Sequence, residues 1–292
     1  METNISQWVN DAPSNNRHFR QAVHLILHGI GGDDYLRRNM IMKGGMLLGL
    51  RYQSSRHTKD IDFSTALKLD DIDQDDFTQR LKDALVIAED EIPYAVTCRL
   101  QKMEVMPKKD VKNKTFPAFR IKVAYADKQD QKAMRRLQSG DSLTTVKIDY
   151  SLNEASYEIE TLVLDGEERI QAYALTDLLA EKLRSIIQQV ARRAEPKSRR
   201  QDIYDVWYLL THCDPLSLPE KGLVLSSLKR KSVGRIAPDI LNQQTLSRKD
   251  IREVSEKGYA TLGNLGNEVS GELPVFEEAY ATVQECYESL PW

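Results

Sequence analysis

The spacing of apolar and polar residues divides the chain into a mixed region followed by a helical one. Apolar residues recur at helical spacing from Arg17 towards Gly29, and again at 75–89. Strict alternation of apolar with polar residues is typical of strands with one buried face. It predicts four strands, at 94–106, 117–126, 144–152 and 158–164. From residue 171 onward helical spacing prevails. We therefore expect an α/β (α+β) domain at 1–170 and a helical domain at 171–292.

The stretch at 40–64 combines several short elements. The pattern predicts a strand, a glycine pair, a helix and a second strand, in that order, at Met40–Lys43, Gly44–Gly45, Met46–Tyr52 and Ile61–Ser64. In the helical region, the spacing predicts helices at 172–187 and 202–212.

The composition is that of an ordinary soluble protein in a reducing compartment. Of the 292 residues, 41% are apolar and 29% are charged, and the net charge is −3. The three cysteines form no Cys-x-x-Cys pair, which argues against a zinc site or a disulfide framework. The polar, acidic N-terminus is unlike a signal peptide, and no apolar run approaches the roughly 20 residues that cross a bilayer. We expect a cytoplasmic protein without a membrane partner.

Gly44 and Gly45 are the first candidate binding residues, and Lys43 directly precedes them. Because these glycines lack a Cβ, their backbone can approach a bulky group such as a phosphate chain and present N–H groups to it. A glycine pair after a strand is also commonly an ordinary tight turn, so the pair alone does not establish nucleotide binding.

Asp60 and Asp62 are candidate metal ligands. On a strand both carboxylates point to the same face, while Ile61 and Phe63 point into a core. Two neighbouring carboxylates repel each other unless a cation lies between them, and oxygen ligands of this kind suit magnesium. Asp149 is a third carboxylate, on the polar face of a later strand. Taken singly, each of these aspartates is also what an exposed strand face carries without any function.

The helical region contributes three more charged candidates, Lys182, Asp202 and Asp205. A lysine on an amphipathic helix is ordinarily a surface residue, and acidic residues are common near a helix N-terminus. The combined order of elements is more specific: a strand, a glycine pair, a helix, an Asp-x-Asp strand and a later strand with one more aspartate. This order resembles the polymerase-β-like nucleotidyltransferase pattern, and the resemblance implies that three carboxylates on neighbouring strands hold two magnesium ions.

Positive charge is concentrated near the Asp-x-Asp and in three clusters. Arg56 and Lys59 precede Asp60, and the clusters lie at 108–114, 132–136 and 192–200. Basic clusters contact phosphates in nucleic-acid-binding proteins and make the affinity salt-dependent. Each cluster alone is equally consistent with a solvated surface. In a chain of negative net charge, the three together favour RNA as a partner.

Five motifs resemble those of the AbiEii/MenA-type nucleotidyltransferase toxin family. They are Lys-Gly-Gly-x-x-Leu at 43–48, Arg-x-Thr-x-Asp-Ile-Asp at 56–62, Ile-Asp-Tyr at 148–150, Ala-x-Lys-Leu at 180–183 and Arg-x-x-Asp-x-Tyr-Asp at 199–205. The combination is specific although each piece alone is not. The resemblance implies a polymerase-β-like nucleotidyltransferase lobe with a mixed sheet, and a C-terminal helical lobe that contributes Lys182 and Asp205 to a cleft.

The same resemblance implies roles for individual residues. Asp60 and Asp62 match metal ligands with a catalytic role, and Asp149 matches the third ligand, so that two Mg²⁺ ions are expected. Lys182 would reach the triphosphate, and Asp205 would assist it as a further catalytic residue. The implied nucleotide-binding set is Lys43, Gly44, Gly45, Arg56, Thr58 and Asp202. Thr58 is in addition a candidate for self-modification.

The implied function is transfer of a nucleoside monophosphate from a nucleoside triphosphate (NTP) to RNA, with the 3′ end of tRNA as the expected acceptor. The protein would act as the toxin of a toxin–antitoxin or phage-defence system, with a cognate antitoxin protein as partner. Two alternatives stay open: modification of a small-molecule hydroxyl, and a catalytically silent nucleotide-binding module. The presence of every expected carboxylate and of the lysine disfavours the silent module.

Overall fold

The computed structural model describes residues 2–54, 58–108, 115–166, 168–191, 200–263 and 273–292. They divide into a sheet unit, Met1–Arg51 with Thr58–Ala172, and a helical unit, Tyr52–His57 with Tyr173–Trp292. None of the helices in the described ranges is long and apolar enough to cross a membrane.

An eight-stranded mixed sheet is the framework of the sheet unit. Its strands are β1 (Glu2–Thr3), β2 (Ile41–Lys43), β3 (Asp60–Ser64), β4 (Val96–Met106), β5 (Ala118–Asp127), β6 (Thr145–Ser151), β7 (Ile159–Leu164) and β8 (Glu168–Tyr173). Across the sheet they lie in the order β1-β7-β8-β2-β3-β6-β5-β4. β3 is antiparallel to β2 and parallel to β6. The centre of the sheet therefore joins strands that are distant in sequence.

The sheet unit contains the helices α1 (Ile5–Asn10), α2 (Arg17–Gly32), α3 (Asp34–Asn39), α4 (Gly44–Tyr52), α5 (Gln74–Glu91) and α6 (Gln131–Gln138). α2 packs against α5. Gly29 permits this close approach, because a Cβ there would lie 2.7 Å from the carbonyl oxygen of Ala84. The N-terminus of α5 is capped by Asp73, whose carboxylate accepts hydrogen bonds from two N–H groups of the first turn.

Alternation along the central strands puts an aromatic core on one face of the sheet. Phe119 of β5 and Tyr150 of β6 pack with Phe77 of α5, and their ring centroids are 5.6, 5.8 and 6.1 Å apart. All three side chains are fully buried. Residues of the opposite parity, such as Arg120 and Asp149, face the other way. On these strands one face is core and the other carries polar side chains.

β8 corrects one prediction from the sequence. The helical spacing that starts at Ala172 predicts a helix there, but residues Glu168–Tyr173 form β8 and α7 begins at Leu175. β8 pairs with β2 in parallel, with Met42 opposite Ala172. Parallel pairing depends on a partner strand that is remote in sequence. The short segment that forms β8 has no regular alternation of apolar and polar residues, so its sequence did not predict a strand.

The glycine pair also differs from its predicted setting. α4 begins at Gly44, so both glycines belong to the N-terminus of the helix and not to a separate turn before it. The helix is therefore two residues longer at its start than the predicted Met46–Tyr52.

The helical unit contains α7 (Leu175–Ala191), α8 (Arg200–His212), α9 (Leu218–Ser232), α10 (Lys249–Gly263) and α11 (Phe276–Glu288). α7 packs against α8 and α9, and α8 packs against α10 and α11. α9 starts with a capping box, in which the N–H of Glu220 donates to Ser217 Oγ and the N–H of Ser217 donates to the Glu220 carboxylate.

Candidate active site

Asp60, Asp62 and Asp149 lie on the polar face of two neighbouring strands. In the parallel pair β3–β6, Asp62 is directly opposite Asp149 and Asp60 is opposite Lys147. Residues that are directly opposite have their side chains on the same face, with Cβ atoms about 5 Å apart. Strand pairing thus brings the third carboxylate next to the Asp-x-Asp from a distant part of the sequence.

Gly44 makes room for the carboxylate of Asp62. Its φ is +72°, a conformation that L side chains rarely adopt. A Cβ at this position would lie 2.8 Å from Cγ of Asp62, so a larger residue would have to displace that side chain. The role expected for this glycine is the approach of a phosphate chain. The close contact observed is instead with a candidate metal ligand.

Positive residues flank the carboxylates on both sides. Lys43 of β2 is opposite Asp62. On the other side Arg120 of β5 is opposite Asp149, and its Nε lies 3.6 Å from Oδ1 of that residue. Their side chains are 47% and 48% exposed. Exposed ion pairs of this kind are weak, so this contact leaves Asp149 able to bind another cation.

The pKa of Asp60 lies above the usual aspartate value. Burial is the main cause, and the negative charge of Asp149 raises the pKa further. Lys147, Arg120 and Lys59 lower it and offset these effects only in part. A carboxylate whose charged form is disfavoured in this way is stabilised strongly by a cation bound beside it.

The three aspartates fit a divalent cation by donor type and by register. Carboxylate oxygens are the ligands that Mg²⁺ prefers, and the pairing of β3 with β6 places all three on one face. Among the described residues, no group of three or more carboxylate, imidazole or thiol side chains is gathered closely enough to hold a metal ion. The three aspartates therefore fit a divalent cation by the chemistry of their oxygen donors and by the position of their backbone.

Lys43 is buried and bound within the sheet unit. Its side chain is 7% exposed, and its Nζ donates a hydrogen bond to Oε1 of Glu154 at 2.7 Å. Removing one partner of a buried pair leaves an uncompensated charge, which is strongly destabilising. The observed role of Lys43 is to hold the end of β2, and contact with a nucleotide stays a prediction.

Lys182, Asp202 and Asp205 meet inside the helical unit. Nζ of Lys182 lies 3.0 Å from Oδ1 of Asp202 and 2.6 Å from Oδ2 of Asp205. The side chain of Lys182 is 11% exposed and that of Asp205 is fully buried. α7 packs against α8, and residues three apart share one side of a helix, so both carboxylates reach the lysine. This arrangement orients the ammonium group.

The remaining predicted residues have different settings. Gly45 is buried in the first turn of α4. Thr58 Oγ1 donates a hydrogen bond to the carbonyl oxygen of Asp60 at 3.3 Å. Arg56 lies outside the described residues, as does most of the basic clusters at 108–114 and 192–200. The functions expected of all these residues stay predictions.

The sequence did not predict that three further residues lie beside the site. They are Arg120, Lys147 and Glu154. Arg120 and Lys147 alternate with buried apolar residues, so their position on the polar faces of strands could be read from the sequence. Their proximity to Asp149 and Asp60 depends on strand register, which only the folded sheet defines. Glu154 lies in an irregular segment after β6, where no sequence signal marks it.

Comparison with protein families gives an independent assignment. The family model described as "Nucleotidyl transferase AbiEii toxin, Type IV TA system" matches residues 31–281. The match includes all the predicted site residues and confirms the resemblance drawn from the five motifs. No curated protein matches the chain.

The chain resembles solved structures at low sequence identity. JHP933 from Helicobacter pylori superposes with a TM-score of 0.53 at 15% identity, covering 96% of this chain and 93% of that one. The nucleotidyltransferase toxin MenT4 from Mycobacterium tuberculosis H37Rv has a TM-score of 0.49 at 12% identity, with 98% and 97% covered. At 15% identity, the likeness to JHP933 shows a common fold.

Proposed function

Because the chain belongs to the AbiEii family of nucleotidyltransferase toxins of type IV toxin–antitoxin systems, we propose that it transfers a nucleoside monophosphate from an NTP to an RNA acceptor. The proposed acceptor is the 3′ end of a tRNA, and the proposed cofactor is Mg²⁺, with two ions. An antitoxin counterpart follows from this type of system.

The observation that supports this function best is the pairing of Asp62 with Asp149 beside the N-terminus of α4. Gly44, the first residue of α4, is in contact with Asp62. The N-terminus of a helix attracts phosphate through its unpaired N–H groups and its dipole. A triphosphate bound there would lie next to carboxylates able to hold a cation.

Different residues of the sheet unit are proposed to bind the metal ions and the triphosphate. Asp60, Asp62 and Asp149 would hold Mg²⁺, which would polarise the reacting phosphoryl group and neutralise the departing pyrophosphate. The N–H groups at the start of α4 would bind triphosphate oxygens. Gly44 leaves room for the Asp62 carboxylate, and the buried pair of Lys43 with Glu154 is proposed to fix the strand end from which α4 starts.

In the helical unit, Lys182 is proposed to bind the triphosphate as a point charge. Asp202 and Asp205 are proposed to position it, since both contact its ammonium group. A cation held by two carboxylates loses less side-chain freedom when it binds a phosphate. Arg56 and Thr58 keep their proposed roles in nucleotide binding.

The test is an assay of purified protein with each labelled NTP, Mg²⁺ and total tRNA. We expect label to enter RNA, and we expect Asp62→Asn to reduce transfer on the order of 100-fold or more, because a neutral amide stabilises a bound cation poorly. The matched control is Asp90→Asn, the same change at an exposed position of α5, which should leave the rate unchanged. Undiminished transfer by Asp62→Asn would contradict the mechanism.

The same assay separates the alternatives. Label on a small-molecule hydroxyl and none on RNA would support modification of an antibiotic or a metabolite. Nucleotide binding without transfer from any NTP would support a silent module.

A further inference from the structure

A row of lysines crosses the polar face of three adjacent strands and ends at Asp60. Lys102 of β4 is opposite Lys122 of β5, and Lys122 is opposite Lys147 of β6. Lys147 is in turn opposite Asp60 of β3. Neighbouring strands are about 4.8 Å apart, so the row is a continuous line of positive charge that leads to a candidate metal ligand.

This row is not arranged for the stability of the sheet. Like charges directly opposite each other on adjacent strands are destabilising. The next row along the same strands pairs opposite charges. Glu104 is opposite Arg120, and Arg120 is opposite Asp149. In the part of the chain that the structure describes, Lys102 pairs with Glu104 at 3.1 Å, whereas Lys122 and Lys147 form no ion pair. The sheet therefore carries a repulsion that a bound anion would relieve.

α6 extends the positive surface on the same face. Ala124 and Ala126 of β5 have the same parity as Lys122, and the apolar side of α6 packs on them. The exposed side of α6 bears three cations, Lys132, Arg135 and Arg136. These residues are the part of the predicted basic cluster at 132–136 that the structure shows beside the strands.

We propose that this lysine surface, formed by Lys102, Lys122, Lys147, Lys132, Arg135 and Arg136, binds the phosphate backbone of the RNA acceptor. The inference rests on the proposed function and identifies where its macromolecular substrate docks. The positive charge is local, since the chain as a whole has a net charge of −3. A positively charged strip that follows a phosphate backbone is the usual means of binding nucleic acid without reading its sequence.

RNA accounts for this surface better than an acidic protein or a second nucleotide does. The surface spans three strands and a helix, which is longer than one triphosphate would need. It also ends at Asp60, where the reaction is proposed to occur, and only the acceptor must occupy both places.

The test compares two double variants of the full chain in binding to fluorescein-labelled tRNA, measured by anisotropy over a series of salt concentrations without NTP. Lys122→Gln/Lys147→Gln removes two charges from the surface. Lys82→Gln/Lys257→Gln removes two exposed lysines from α5 and α10 and serves as the control. Each lost phosphate contact should lower the slope of log affinity against log salt by about 0.7 to 0.9, hence about 1.4 to 1.8 for the pair.

We expect the surface variant to show this smaller slope and the control variant to bind like the unchanged protein. An unchanged slope in Lys122→Gln/Lys147→Gln, or no binding of tRNA by the unchanged protein, would overturn the proposal. Competition by polyglutamate as effective as that by unlabelled tRNA would also overturn it, in favour of an acidic protein partner. The thermal midpoint of the surface variant, compared with that of the unchanged protein, checks that the variant is folded.

The docking surface and the proposed reaction can fail separately. If tRNA binds with the expected slopes but no NTP labels it, the surface is correct and the transfer reaction is wrong. If tRNA is labelled at the same rate and salt dependence by the surface variant, the reaction is correct and the surface is wrong.

Discussion

At the level of single residues, the site depends on close fits that a similar residue would not provide. Gly44 is adjacent to the carboxylate of Asp62, and its positive φ excludes most other residues. Lys182 is held by two carboxylates, so its identity matters for the fold of the helical unit as well as for its proposed role in phosphate binding. In each case the residue and its partner must be considered together.

Gly44→Ala should damage both activity and stability. The new Cβ would collide with Asp62 and would force an alanine into the left-handed region, at a cost of about 1–2 kcal/mol. Gly49→Ala, on the same helix, is the matched control, because a Cβ there has no neighbour within 4 Å. It should be neutral or stabilise the protein by up to about 1 kcal/mol. Transfer rates and urea unfolding of the two variants measure the difference, and equal behaviour would refute the contact.

His28 and Glu168 form a pH-sensitive pair in the sheet unit. The ion-pair contact with Glu168 raises the pKa of His28 to about 8, with a smaller contribution from Glu91. Burial by itself raises the pKa of Glu168, but its contacts with His24 and His28 outweigh this effect and the pKa falls to about 2. The stability from the raised histidine pKa is complete below 6.5 and is lost as the pH rises through about 8. The stability from the carboxylate is present above 4.5 and is lost as the pH falls towards 2.

The free energy of unfolding should therefore decrease between pH 6.5 and pH 9 by about 1 kcal/mol, after allowance for partial exposure to solvent. His28→Gln should remove this decrease, because the amide does not titrate. His212→Gln, on α8 of the helical unit, should retain it. Urea unfolding at several pH values measures the effect, and a decrease of the same size in His28→Gln would show that another group is responsible.

At the level of secondary structure, strand pairing decides which side chains share the site. A shift of one residue between β3 and β6 would turn Asp149 towards the core and expose Tyr150. The buried packing of Tyr150 with Phe77 and Phe119 opposes such a shift. The aromatic core on one face thus fixes the alignment of the carboxylates on the other.

The capping box of α9 provides a test of local helix stability. Ser217→Ala removes the side chain that accepts the N–H of Glu220, and it should destabilise the protein by about 1 kcal/mol. Ser226→Ala, at an exposed interior position of the same helix, should instead be stabilising by a few tenths of a kcal/mol. Thermal unfolding of the two variants gives the comparison, and a loss in Ser226→Ala as large as in Ser217→Ala would rule out the cap as the cause.

At the level of the whole molecule, the buried aromatic core of the sheet unit lies apart from the candidate metal ligands. Its buried aromatic residues are on the face opposite the three aspartates. Within the described residues no disulfide joins the cysteines. The metal site is therefore expected to serve the reaction and not the fold.

Removal of Mg²⁺ with a chelator should abolish nucleotidyl transfer while changing the free energy of unfolding by less than about 1 kcal/mol. Addition of Mg²⁺ should restore the activity without a refolding step. Circular dichroism during the titration provides the structural readout. Loss of helical signal on chelation would show that the ion has a structural role.

The sequence by itself determined the type of most elements and predicted the candidate residues of the site. Local periodicity distinguishes α2 from β5 because burial of one side repeats every 3.6 residues in a helix and every two in a strand. The Asp-x-Asp spacing places Asp60 and Asp62 on one face without further information. The motifs shared with the AbiEii family include the same residues. The match over 31–281 confirms membership of the family, and the roles of these residues stay predictions.

Only the tertiary structure decided which distant residues meet. The register of β3 with β6 brings Asp149 to Asp62, and the packing of α7 on α8 brings Lys182 to Asp205. It also showed that β8 is a strand, that Gly44 accommodates Asp62, and that three lysines line up beside Asp60. The physical reason is that pairing and packing link residues far apart in the chain, whereas periodicity reports only on the neighbours of each residue.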